Sequence, residues 1–230
     1  FEGSYYSASL IGGALHAQAI EIWTDVSGIY TSDPQFITDA KPIPELSYFD
    51  ATEMAYFGAK VLHPSTLKPA QERNIPVFVK NMFKSEDDGT KIIRKTDHAH
   101  DVLAMSFKED IALLTISAYE TVMGYSFLTK VFTALEKHRL AVDAVNTTEA
   151  SVTIALSDSK KLNQLSKELI EVGTVRVEQD KGLISLIGCT LSKVDELTLK
   201  VFSSMKSEEV DMITFTKEKR ILSFVVNKDK

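Results

Sequence analysis

The second half of this 230-residue chain repeats itself, and that repetition limits its possible folds more than any other feature. Hydrophobic spacing predicts a strand over Ile111–Ser117, an amphipathic helix over Phe127–His138, and strands over Ala141–Asn146 and Ser151–Leu156. The same order returns at Leu183–Thr190, Val194–Met205, Asp211–Thr216 and Ile221–Val226. Lys130-Val131-Phe132 in the first helix is matched, seventy residues on, by Lys200-Val201-Phe202 in the second. A helix over Lys160–Glu171 and a strand over Val175–Glu178 complete a βαββαβ unit in copy one. Copy two stops after four elements, and Val102–Phe107 is a candidate strand to complete it. Repeated units of this size bury their apolar faces against each other. The plainer reading of the duplication is stability alone; the functional one is an interface that binds a small ligand.

The first part is built differently. All six prolines lie within the first 80 residues. Helical spacing over Ser7–Ala17 leads to a short strand, Ile20–Trp23, that ends in the polar turn Thr24-Asp25-Val26-Ser27-Gly28. A helix over residues 47–58 with Ser47 as its N-cap, a helix over Ser65–Arg73 and a strand over Ile75–Val79 follow. Alternating helix and strand predicts an α/β layer with a largely parallel sheet. The polar stretch Lys84–Asp101 reads as the join between the two parts, with Thr90–Arg94 left open as a strand. The chain opens on Phe1 and runs straight into a helical pattern, which predicts a piece cut from a longer protein.

Composition removes several classes. A net charge of −6 offers no basic face for nucleic acid. No apolar run approaches the roughly 18 residues of a membrane span, and no basic segment opens the chain, so the cytoplasm is the expected compartment. The single cysteine, Cys189, rules out an intrachain disulfide and sits in the apolar run LISLIGCTL, where it reads as a buried structural thiol. The chain has no GxGxxG, P-loop, CxxC or HExxH segment.

Ligands bind at strand-end turns of open α/β sheets, where backbone groups and helix N-termini converge. Thr24-Asp25 fits that rule: its carboxylate would accept from a ribose hydroxyl or help hold a metal, although spacing alone favours an Asp capping its own turn. Lys60 is either a point charge for phosphate or a surface lysine. His63, held extended by Pro64, reads as a structural histidine rather than a base.

Three segments then carry a resemblance. Gly3-Ser4 with Tyr6-Ser7-Ala8, the run WTDVSGIYTSDP over 23–34, and FGAKVLHP over 57–64 resemble the aspartate kinases. The βαββαβ units resemble the paired ACT domains of those enzymes. Phe127-Leu128-x-x-Val131-Phe132 and Val142-Asp143-x-x-x-Thr147-Thr148-Glu149 resemble the lysine-inhibited, monofunctional type. The implied fold is α/β: the C-terminal part of a carbamate-kinase-like amino-acid-kinase sheet over 1–90, a first ferredoxin-like ACT domain over 109–180, and a second over 101–108 with 181–230.

The resemblance implies a reaction in which ATP and L-aspartate give 4-phospho-L-aspartate and ADP, with Mg2+. By motif match, Thr24, Asp25, Tyr30, Gln35, Lys60 and Val61 would line the ATP site and Ser4 would touch substrate. Thr121, Gly124, Phe127, Leu128, Asp143, Thr148 and Glu149 would form an allosteric L-lysine site, its acids meeting the two ammonium groups. The family places that pocket between ACT units of different subunits, implying a homodimer. This sequence also departs from the pattern. Phe1 and Tyr5 stand where the family has arginine and a catalytic aspartate, Gln35 stands where arginine is common, and the family's N-terminal lobe is missing. No catalytic residue is therefore assigned, and this polypeptide alone is expected not to phosphorylate aspartate. The alternative is a non-catalytic amino-acid-sensing module.

Overall fold

The computed structural model describes residues 2–57, 62–96, 102–119, 125–148, 150–158, 161–188, 194–206, 208–216 and 220–228. They form two compact units: Phe1–Phe107 with Ser185–Thr198 and Thr216–Ile221, and Lys108–Ile184 with Leu199–Phe215 and Leu222–Lys230.

The first unit runs α1 (Glu2–Ala14), β1 (Ile20–Thr24), β2 (Glu45–Ser47), α2 (Tyr48–Tyr56), α3 (Pro64–Glu72), β3 (Val77–Asn81) and β4 (Thr90–Ile93). Its sheet is ordered β1-β3-β4-β2. β1 with β3 and β2 with β4 are parallel, while β3 and β4 are antiparallel. The connection between β3 and β4 holds no crossover helix, so the chain turns straight back as a hairpin. The segment read as a polar join thus supplies a strand to this sheet. Local chemistry sets the helix starts. Ser47 caps α2 as expected, its Oγ accepting from Asp50 N at 3.0 Å and donating to Asp50 Oδ2 at 2.6 Å. His63 caps α3, its Nδ1 accepting from Ser65 N, with Pro64 at the first helical position where its missing N–H costs nothing.

The core of this unit gathers Ile20, Ile22, Leu46, Tyr48, Met54, Leu67, Val77, Val79 and Ile92, with Ala104, Ile187 and Ile221 from later in the chain. Tyr48 is 1% exposed, and its hydroxyl donates to Ile75 O. Burial pushes its phenol up to about 12 from 10.0. The folded state therefore favours the protonated ring, and this contribution is complete below pH 10 and lost as pH rises through 12. Tyr48→Phe should cost about 1–3 kcal/mol at neutral pH by leaving Ile75 O unpaired. It should also flatten the fall in stability between those two pH values, read by urea unfolding across an alkaline series. An equally steep fall in the variant would count against this assignment.

The second unit holds a six-stranded sheet ordered β6-β7-β5-β8-β10-β9. The later elements are β5 (Ala104–Ala118), α4 (Tyr125–His138), β6 (Ala144–Thr147), β7 (Ser151–Leu156), α5 (Leu162–Leu169), β8 (Gly173–Ile187), α6 (Val194–Ser204), β9 (Val210–Thr216) and β10 (Ile221–Asn227), of which residues 104–107, 185–187, 194–198, 216 and 221 are counted with the first unit. β7 pairs antiparallel with both β5 and β6. Side chains of β5 alternate between two cores: Ala112, Leu114 and Ile116 pack with Phe127, Val131, Leu135 and Leu165, while Ile111 and Leu113 pack with Leu183, Met212 and Val225. Both faces of the strand are covered there, so Ile111-Ala112-Leu113-Leu114 is a continuous apolar run.

Two expectations are corrected here. Val102–Phe107 is not a separate strand, because Ala104–Phe107 is the start of β5. The strands expected at Val175–Glu178 and Leu183–Thr190 are one strand, β8. The polar runs Lys108-Glu109-Asp110 and Gln179-Asp180-Lys181 break the hydrophobic pattern without ending the strands. Asp110 (φ 58) and Asp180 (φ 55) turn left-handed there, a conformation short polar side chains tolerate, so each ladder bends and continues. Lys228, just past β10, ties both bends: its backbone N–H donates to Asp180 O at 2.9 Å and its Nζ to Asp110 Oδ1 at 2.8 Å. The Asp110 carboxylate, aided by that of Glu109, holds the Lys228 ammonium above its usual range.

Candidate functional site

A cleft of about 1120 Å3 opens in the first unit. Its lining includes Ser4, Tyr5, Trp23, Thr24, Asp25, Gly28, Tyr30, Asp33, Gln35 and His63. Thr24 ends β1, and Thr24 Oγ1 donates to Asp25 Oδ1 at 3.1 Å. The turn behind them is held from inside. Asn81 Nδ2 donates to Asp25 O at 3.3 Å and to Ser27 Oγ at 2.9 Å, and Ser27 Oγ donates to Asp87 Oδ2 at 2.5 Å. Gly28 has φ 102, and a Cβ there would lie 2.5 Å from Thr90 Oγ1. That hydroxyl accepts from Ile29 N at 2.7 Å and donates to Ile43 O at 2.7 Å, clamping the loop to β4. The result is a rigid strand-end turn that presents a hydroxyl and a carboxylate to an open cavity.

Asp33 closes its own turn instead of waiting for a ligand. Its Oδ1 accepts from Gln35 N at 2.9 Å, and its carbonyl accepts from Phe36 N and Ile37 N. Gln35 is exposed. Tyr5 lines the cleft and packs against the first core. His63 serves as the cap of α3, in line with its structural reading. Ala104, Met105, Ser106, Phe107 and Ile187 also line the cleft, and sequence reasoning missed all five. Met105 N donates to Thr31 O at 2.7 Å, and Phe107 meets Phe36 edge-on with ring centres 5.8 Å apart. Apolar alternation on a distant strand carries no sign that the strand borders a cavity.

In the second unit the residues of the implied amino-acid site are only partly brought together. Asp143, just before β6, is 7% exposed and accepts from Lys108 Nζ at 2.8 Å and from Ser157 N at 2.7 Å. Thr148 lies past the other end of β6, in the β6–β7 turn, where its Oγ1 sits 2.7 Å from Ser151 Oγ and accepts from Ser151 N at 3.1 Å. Phe127 is 6% exposed within the helix-facing core, and Leu128 packs against that core, half-buried. Phe1, Lys60, Val61, Thr121, Gly124, Glu149 and Cys189 lie outside the described residues. Among the described residues no group of three or more His, Cys, Asp or Glu is arranged to hold a metal, and no helix is long and apolar enough to cross a membrane.

Residues 1–81 match the amino acid kinase family. Lysine-sensitive aspartokinase 3 of Escherichia coli is 38% identical over 97% of this chain and 52% of its own length. Aspartokinase 3, chloroplastic, of Arabidopsis thaliana is 36% identical over 99% of this chain and 43% of its own length. The fold matches that of E. coli aspartokinase III in complex with aspartate and ADP, with a TM-score of 0.87 at 37% identity, covering 99% of this chain and 53% of that one. The same enzyme in complex with lysine and aspartate matches with a TM-score of 0.83 at 36% identity, covering 99% and 52%. The chain thus spans about half the length of the curated relatives it matches. Over the half of these proteins that it spans, the chain is similar in sequence and in fold to aspartate kinases.

Proposed function

We propose that this chain works within an aspartate kinase, the enzyme that turns ATP and L-aspartate into 4-phospho-L-aspartate and ADP at the head of lysine, threonine and methionine biosynthesis. The observation that carries the reading is the cleft, which collects Ser4, Thr24, Asp25, Tyr30 and Gln35 around a clamped strand-end turn. Phosphoryl transfer rests on positioning and charge neutralisation, and the residues here suit the positioning part. The Asp25 carboxylate accepts from a ribose hydroxyl, the Thr24 hydroxyl and Tyr30 ring border the adenosine, and Lys60 and Val61 complete the site. Magnesium would arrive chiefly on the nucleotide's phosphates and water, its usual mode in kinase sites, and would offset phosphate charge.

The part of the chain after residue 100 is proposed to be two ACT modules, over 109–180 and over 101–108 with 181–230, that sense L-lysine in a cytoplasmic homodimer. A strand rises roughly 3.3 Å per residue, so Asp143 and Thr148 lie about 16 Å apart at the two ends of β6. That exceeds an extended lysine side chain. One lysine does not reach both Asp143 and the neighbourhood of Thr148 and Glu149 within one chain, which supports a pocket completed by a second copy.

Tyr5 in the cleft favours a second reading, a non-catalytic sensing module: a phenol lacks the paired acceptor oxygens of a carboxylate and cannot replace one. Calorimetry on the 230-residue chain tests these readings together. MgADP should bind, and Asp25→Ala should weaken it by about tenfold, as expected for losing a hydrogen bond to a charged group. L-Lysine should bind where L-threonine and L-methionine do not. The absence of nucleotide binding in the wild type would sink the kinase reading, and acyl-phosphate formation by this polypeptide would sink the sensing-module reading.

A further inference from the structure

Asp143 is already neutralised from within. Its Oδ1 accepts from Lys108 Nζ at 2.8 Å, and its Oδ2 accepts from the backbone N–H of Ser157 at 2.7 Å. With the side chain 7% exposed, the carboxylate has little water to fall back on. A carboxylate in such a place needs a counter-charge in the ligand-free state, because an uncompensated buried charge is strongly unfavourable. Lys108, carried on β5, supplies it.

An amino-acid ligand whose ammonium group goes to Asp143 brings the same charge to the same oxygens. Two ammonium groups on one buried carboxylate would leave a net positive charge where solvent cannot screen it. The exchange therefore favours one ammonium at a time. The Lys108 side chain is 24% exposed, and its flexible stem lets the head swing out to water while the methylenes stay packed.

The repeat provides an internal comparison. Val142-Asp143 in copy one corresponds to Val210-Asp211 in copy two, and Asp211 is also met by a lysine, Lys181 Nζ at 2.7 Å. That lysine is 6% exposed and is further held by Asn227 Oδ1 at 2.7 Å and Glu178 Oε2 at 3.3 Å. It has no easy route to water. Copy two has the same acid with a fixed plug, and copy one has it with a plug that reaches the surface.

We infer that Lys108 is a displaceable internal counter-ion for Asp143, and that it sets how tightly this site takes the ammonium group of an amino acid. This rests on the reading of Asp143 as an amino-acid site. It predicts a preference for ligands that bring an ammonium group over their deaminated analogues.

The test is calorimetric titration of L-lysine into the full 230-residue chain as wild type, Lys108→Met and Asp143→Asn. Removing the competitor should tighten binding by about tenfold, the scale of a close, partly buried charge pair, while Asp143→Asn should abolish it. Should Lys108→Met fail to fold, Lys108→Gln removes the charge but keeps a hydrogen bond to the carboxylate, and it should tighten binding in the same direction. Equal or weaker binding by the folded Lys108 variant overturns the inference while leaving the lysine site standing. No binding to any of the proteins overturns both.

Discussion

Asp211→Ala should destabilise the second unit by about 3–5 kcal/mol, the usual cost of stripping one partner from a buried ion pair. Lys181 is 6% exposed, and its closest contacts are Asp211 Oδ2 and Asn227 Oδ1, each at 2.7 Å. With Asp211 gone, the ammonium keeps Glu178 at 3.3 Å and one neutral amide. Burial alone would lower the Lys181 pKa, but the hydrogen bond and charge of Asp211, aided by Glu178, hold it above 10.5. The folded-state value is raised, so this contribution is complete below pH 10.5 and lost only as pH climbs through the raised value. The wild-type pair should therefore be insensitive to pH across the neutral range. Scanning calorimetry should show a melting drop on the order of 10 °C for the variant. A loss below about 1 kcal/mol would mean that the pair is solvated and that its burial carries no weight.

Gly28→Ala should damage the cleft and the fold together. At φ 102 an L side chain is strained, and the added Cβ would sit 2.5 Å from Thr90 Oγ1 and 2.8 Å from Thr90 N. Thr90 is fully buried and cannot retreat, because its hydroxyl bridges Ile29 N and Ile43 O. The loop must lift, releasing those two backbone groups, at a cost of about 2–4 kcal/mol. The Thr24–Asp25 turn precedes this clamp by a few residues, so nucleotide affinity should fall as well. Equilibrium unfolding and nucleotide titration of one preparation measure both effects. A variant with wild-type stability and unchanged affinity would refute the clamp.

These two cases differ in how far they could be read from the sequence. The turn at Thr24–Gly28 was visible as a polar strand end containing a glycine, and Asp25 was named from it. The Ser47 cap was visible as well, because a cap is a contact between residues three apart. Capping by His63 was half-visible: its place before Pro64 marked it as structural, though its role as a side-chain cap was not evident. The repeat was legible through its spacing, yet its strands were cut in two where Asp110 and Asp180 bend without breaking the ladder. A polar triplet in a hydrophobic pattern looks the same whether the strand ends or merely turns.

By itself the sequence determined most of the helices and strands, the duplication and the strand-end position of the candidate nucleotide turn, but neither β2 nor the continuity of β5 and β8. Those depend on periodicity, caps and turn residues, which act over a few positions of the chain. Only the tertiary structure decided which charges face which. Lys108 meets Asp143 across 35 residues, Lys181 meets Asp211 across 30, and Arg220 meets Asp50 across 170, at 2.5 Å. It also decided that Ala104–Phe107 and Ile187 border the cleft. Such pairings follow from the register of strands distant in sequence, and a buried charge takes whatever counter-charge that register brings within reach.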